Sequence, residues 1–131
     1  MELPPLIRVI SFGYLHSPPP AEAHMVFDLR RHFRDPHIDP EFRHLTSSNP
    51  RVRAKVLGTP GIPELVDAIM AASVAMTSGP ARADVVVAIG CAGGQHRAPN
   101  VARSVVERLE EMGHDVQLDP RHLTKPVVER P

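Results

Sequence analysis

The apolar positions of the chain form short continuous runs and two longer periodic stretches, punctuated by proline and glycine. Leu6–Phe12 (LIRVISF) is apolar and β-branched, and Gly13 closes it, which predicts a strand. His16–Glu22 contains Ser-Pro-Pro-Pro and reads as a loop, because proline removes the backbone donor that helices and central strands need. Met25–Leu29 (MVFDL) predicts a second short strand. Asp39-Pro40-Glu41 and Asn49-Pro50-Arg51 each set a capping side chain before a proline, so each predicts the start of a short helix. Gly58–Gly61 is a turn, and Ile62–Thr77 a helix with an apolar face of Leu65, Val66, Ile69, Met70 and Met76, stopped by Ser78-Gly79-Pro80.

Asp84–Ile89 (DVVVAI) is a continuous apolar run, the pattern of a central strand covered on both faces. Gly90–Arg97 is glycine-rich. Pro99–Met112 predicts the clearest helix, with Val101, Val105 and Leu109 on one side and Arg103, Glu107, Arg108, Glu110 and Glu111 on the other; Gly113 ends it. Val116–Leu118 starts a last strand, and Asp119–Pro131 reads as a polar tail. This alternation predicts a single small α/β domain over residues 1–118, with a largely parallel sheet, flanking helices and a glycine-rich loop between a central strand and a helix.

Composition narrows the function classes. A chain of 131 residues holds one domain with a core. Its 15 basic and 15 acidic side chains cancel, which argues against a protein built mainly to coat nucleic acid or a membrane surface. One cysteine makes no internal disulfide, so a reducing cytoplasm is expected. The start, MELPPLIRV, has neither a signal-peptide nor a transit-peptide pattern, and the apolar run around Val85–Ile89 is far too short to span a bilayer. The one locally basic region is Asp28 to Lys55, where Arg30, Arg31, Arg34, Arg43, Arg51, Arg53 and Lys55 outnumber Asp28, Asp35, Asp39 and Glu41. His32, His37 and His44 lie there too, without zinc-motif spacing, so no metal and no cofactor is expected.

The candidate chemistry sits in Ala88–Arg97, AIGCAGGQHR. A loop from the carboxyl end of a buried strand into a helix is where α/β proteins place ligands. Small residues at Ala92, Gly93 and Gly94 allow close approach of backbone N–H groups, and the first helical turn adds unpaired donors and the positive end of its dipole. Arg97 adds a bidentate fork and His96 a proton-switchable donor. A phosphate group fits this set best. The loop is not a nucleotide P-loop, since the Lys-Ser/Thr ending is absent, and it does not match G-x-G-x-x-G. Cys91, Gly94 and Arg97 do satisfy C-x-x-G-x-x-R, the spacing of cysteine-dependent phosphatases, in which a thiolate attacks phosphorus while arginine clamps the phosphoryl oxygens. Gly90 and Ala98 stand where that pattern usually has His and Ser or Thr.

AIGCAGGQHR also resembles the signature of the RapZ C-terminal domain family, roughly A-I-G-C-T-G-G-x-H-R. Val9–Tyr14 looks like that domain's opening strand and turn, Phe27–Arg30 is similar to its F-D-x-R segment, and Asp35-Pro36-His37 with Asp39–Thr46 to its N-P-H-x-x-P-E-L-R-x-L-T stretch. The resemblance implies a domain that senses an amino-sugar phosphate, glucosamine-6-phosphate, through Gly93, Gly94, His96, Arg97 and His37. In enterobacterial members it also implies binding of small RNAs for an RNase. Full-length members assemble and carry an N-terminal nucleotide-binding domain; that half has no counterpart here, so ATP binding is not carried over. The family's threonine after the cysteine is Ala92, which removes one hydroxyl donor. Of its basic C-terminal run, Arg121 and Lys125 remain.

The expected ligand set is therefore Ala92, Gly93, Gly94, His96 and Arg97, with His37 and Arg30 closing the pocket from a facing loop. Arg30 has an alternative partner in Asp28 or Asp35. The expected function is binding of a phosphorylated small molecule, without chemistry, and signalling to a protein or RNA partner. The alternatives are a phosphatase using Cys91 and Arg97, and an RNA adapter using Arg51, Arg53, Arg121 and Lys125.

Overall fold

The computed structural model describes residues 3–33 and 45–123. Four strands and three helices occur among them: β1 (Ile7–Gly13), β2 (Met25–Asp28), α1 (Pro50–Leu57), α2 (Ile62–Thr77), β3 (Val85–Cys91), α3 (Arg97–Glu111) and β4 (Val116–Pro120). The strands form one sheet in the order β2-β3-β1-β4, and every neighbouring pair is parallel. The helix expected after Asp39 lies outside the described residues.

Each element follows from its residues. In α1, the Asn49 side chain accepts a hydrogen bond from the Arg51 N–H at 2.9 Å, and Pro50 occupies the first helical position, where no N–H is needed. α2 enters through Gly61, whose φ of +91° is left-handed backbone, and Ile62, Val66, Ile69 and Ser73 face inward. Met76, expected on that apolar face, is exposed: it sits in the helix's last turn, beyond the buried residues.

Two boundaries differ from the sequence expectation around the glycine-rich segment. β3 runs on through Gly90 and Cys91 because Phe12 and Gly13 of β1 pair with them in register. α3 begins at Arg97, two residues before Pro99. Proline suits any of the first three helical positions, since none of their N–H groups has an intrahelical acceptor. β4 likewise runs two residues past Leu118, because Asp119 and Pro120 pair with Ile10 and Ser11.

The core has two parts, one on each face of the sheet. Ile7 and Val9 of β1 with Val85, Val87 and Ile89 of β3 pack against Val66 and Ile69 of α2 and Val101, Val105 and Leu109 of α3. Ile10, Phe12 and Ala88 point to the opposite face, where Tyr14 and Ala23 of the β1–β2 connection cover them. The central strands are thus buried on both faces, as the unbroken apolar run Val85–Ile89 requires. The connection leaving β1 crosses one face and the one leaving β3 crosses the other. Between their carboxyl ends lies the position where open α/β sheets form a crevice.

Candidate functional site

The carboxyl ends of β1 and β3 are tied together by backbone hydrogen bonds. The N–H of Tyr14 donates to the Cys91 carbonyl at 2.9 Å, and that of Leu15 to the Ala92 carbonyl at 3.0 Å. Gly13 and Gly94 are in direct backbone contact: a Cβ on Gly13 would lie 2.5 Å from the carbonyl carbon of Gly93, and one on Gly94 2.7 Å from the nitrogen of Gly13. Gly94 also has a φ of +75°, so glycine is required there twice over. Gly93, by contrast, faces open space. Gly90 is fixed by aromatic rings, since a Cβ would lie 2.6 Å from both Phe12 and Tyr14; the histidine of the tyrosine-phosphatase pattern has no room at this position.

Cys91 turns inward. Its thiol is buried, and Sγ accepts from the N–H groups of Gly94 at 3.2 Å and Ala98 at 3.4 Å. The Gly94 N–H, expected to face a ligand, is therefore spent on shaping the loop. Neither the Gly93 nor the Arg97 N–H is hydrogen-bonded among the described residues.

Arg97 is the first residue of α3, and its Nη1 donates to the Leu29 carbonyl at 3.3 Å, just beyond β2. A guanidinium has five N–H groups, so this contact orients the fork without exhausting it. His96 caps the helix through its backbone: its carbonyl accepts from Asn100 Nδ2 at 2.9 Å, and Asn100 is buried. The His96 ring bonds the Leu45 carbonyl through Nε2 at 2.6 Å. A carbonyl only accepts, so Nε2 carries the proton, and in the neutral ring Nδ1 is an acceptor. Burial pushes the His96 pKa down, the Leu45 contact opposes that, and the Arg97 charge adds to the lowering. At neutral pH the His96 ring thus braces the loop against Leu45.

Arg30 takes the local partner. Its Nη2 lies 2.7 Å from Asp28 Oδ2, its Nε donates to Oδ1 at 3.0 Å, and its guanidinium carbon stands 3.5 Å from the centre of the Tyr14 ring. The hydrogen bonds from Arg30 hold the Asp28 carboxyl below its ordinary range, with a smaller contribution from Arg97. Burial raises the Tyr14 phenol, as does the Asp28 charge. Tyr14, Asp28, Arg30 and Arg97 therefore gather at the carboxyl edge of the sheet, but Arg30 is bound to Asp28 and Tyr14.

The other predicted residues are dispersed. Arg51 is exposed in the first turn of α1. Arg53 reaches α3 and pairs with Glu107 at 3.2 Å. Arg121 pairs with Asp119 at 3.1 Å and lies 3.7 Å from Glu22. His37 and Lys125 lie outside the described residues. No group of three or more metal-ligating side chains occurs among the described residues, and no described helix is long and apolar enough to cross a membrane. Sequence reasoning missed Gly13, Tyr14, Asn100 and His122. Gly13 left a trace as the glycine closing the first strand, and Tyr14 as the end of the segment that resembles the family's opening turn.

Comparison with known proteins places the chain in a family. Residues 5–124 match the model of a family described as the RapZ C-terminal domain. The chain is 33% identical over 122 residues to a nucleotide-binding protein of Sphingopyxis alaskensis, covering 91% of this chain and 38% of that one. It is 37% identical over 120 residues to one of Mycolicibacterium paratuberculosis, covering 89% and 38%. With one of Thermus thermophilus it shares 40% over 108 residues, covering 79% and 38%. The chain thus spans about two-fifths of the length of the curated relatives it matches. With the match running from before β1 to beyond β4, the chain belongs to the RapZ C-terminal domain family.

Proposed function

We propose that this domain binds a phosphorylated small metabolite, an amino-sugar phosphate such as glucosamine-6-phosphate, and passes its occupied state to a protein or RNA partner. The observation that carries the reading is the meeting of three features at the carboxyl end of β3: the left-handed turn at Gly94, the first turn of α3, and Arg97 at that turn's first position. Unpaired N–H groups, the positive end of a 15-residue helix and a guanidinium converge there, which suits a dianionic phosphate. The open space beside Gly93 leaves room for the ligand. The relatives' name, nucleotide-binding protein, belongs to proteins more than twice as long; phosphate is the chemistry it shares with this reading.

A thermal-shift screen against phosphosugars, nucleotides and inorganic phosphate tests it. Glucosamine-6-phosphate raises the melting temperature most, and the shift disappears in Arg97→Ala. No shift with any phosphosugar would remove the reading.

A second reading, a cysteine-dependent phosphatase, has one specific observation in its favour: the N–H groups of Gly94 and Ala98 both donate to Cys91 Sγ, which sets the sulfur at the base of the loop. It requires hydrolysis of an aryl phosphate by the wild type and loss of that activity in Cys91→Ser. An inactive wild type excludes it.

A further inference from the structure

Beyond β4 the chain turns back over the end of β1. Pairing between these strands ends at Ser11 and Pro120, so no backbone carbonyl of β4 faces the N–H of Gly13. A side chain takes that place: His122 Nδ1 accepts from the Gly13 N–H at 2.9 Å. His122 has a φ of +64°, a conformation non-glycine residues rarely adopt, and here it accompanies that contact. The other side of Gly13 is also tied, since its carbonyl accepts from the N–H groups of His16 at 2.9 Å and Ser17 at 3.2 Å. Gly13 in turn is the surface on which Gly93 and Gly94 rest.

We infer that His122 is a positioning residue for the loop of residues 91–97, acting through Gly13, and that it makes ligand binding there proton-dependent. The inference rests on the proposed phosphate site. As an acceptor, Nδ1 must be unprotonated. Protonation turns it into a second donor facing the Gly13 N–H, the contact is lost, and the Gly13–Gly94 packing loses its support from the β4 side. Among the described residues, the His16 ring centre lies 5.1 Å from that of His122, and the neighbouring Arg121 pairs with Asp119 and lies near Glu22. His16 Nε2 is buried without a hydrogen-bond partner among the described residues.

The test uses the full chain and His122→Asn. Asparagine tolerates left-handed backbone and offers an acceptor near the Nδ1 position, but it does not titrate. Wild-type affinity for glucosamine-6-phosphate falls more steeply between pH 7.5 and 5.5 than that of His122→Asn, because only the wild type can lose the Nδ1 acceptor to a proton. Titration of His96 and of the phosphate itself is common to both proteins and cancels. In parallel, NMR follows the amide signals of Gly13 and Gly94 in the ligand-free wild type, and both move with the His122 ring titration. Equal pH dependence in the two proteins, or Gly13 and Gly94 signals that ignore His122, overturns the inference. If no phosphosugar binds at any pH, the proposed ligand fails, and the NMR titration still decides the role of His122.

Discussion

Gly93 and Gly94 are adjacent in sequence and opposite in tolerance. Gly94 has left-handed backbone and touches the backbone of Gly13, so Gly94→Ala meets both conformational strain and a clash with atoms that cannot swing away. A loss of about 2–3 kcal/mol in urea denaturation is expected. Gly93→Ala meets nothing and stays within about 1 kcal/mol of wild type. Equal losses would contradict the contact between the two loops. His96 carries a pH signature. Its folded pKa lies below its ordinary value, so its neutral form favours the fold above the ordinary pKa of about 6.5. That contribution is lost as pH falls from there through the folded value. His96→Gln therefore shows a weaker drop in stability between pH 7.5 and 5.5 than wild type, measured by urea denaturation at both values. At this scale the sequence exposed residue types but not their partners. That Arg97, His96 and the two glycines mark a loop was legible. That Gly94's N–H serves Cys91, that His96 braces Leu45, and that Gly13 supports the loop from 80 residues away depends on contacts no local pattern encodes.

The elements were largely legible because their signals are local. Asn49-Pro50 marks the start of α1, and removing the cap in Asn49→Ala is expected to cost about 1 kcal/mol. The 3.6-residue period of Val101, Val105 and Leu109 identifies the buried face of α3. Leu109 is fully buried against the sheet, so Leu109→Ala is expected to cost about 2–5 kcal/mol, read as a lower urea midpoint; an unchanged midpoint would mean that α3 does not pack there. The misplaced boundaries have one cause. The residues from Gly90 to Ala98 contain no period, and their state is set by neighbours: β1 extends β3 to Cys91, and the absence of intrahelical acceptors for early helical N–H groups allows α3 to start before Pro99. Met76 follows the periodicity of α2 yet lies in its last turn, where period no longer implies burial.

At the level of the molecule, the parallel sheet gathers its chemistry at one edge and spreads its charge elsewhere. Arg53 and Arg121, two of the arginines expected to meet RNA, spend their charge on Glu107, Asp119 and Glu22, and the net charge is zero. Phosphate contacts dominate RNA affinity, so weak, salt-erased binding to structured RNA is expected in mobility-shift assays at low salt. Tight binding that survives added salt would show that another surface carries it. The strand order and the placement of the loop at the switch between β1 and β3 were legible only as a fold class, since nothing local dictates which strands pair. The convergence of Gly94, α3 and Arg97 at that switch is what the phosphate reading depends on. Isothermal titration of glucosamine-6-phosphate into wild type and Arg97→Ala measures it directly. Saturable one-site binding to the wild type, weakened about 10–100-fold in Arg97→Ala by loss of a charge-assisted fork, is the expected result; no binding to the wild type, or equal affinity in both proteins, would contradict it.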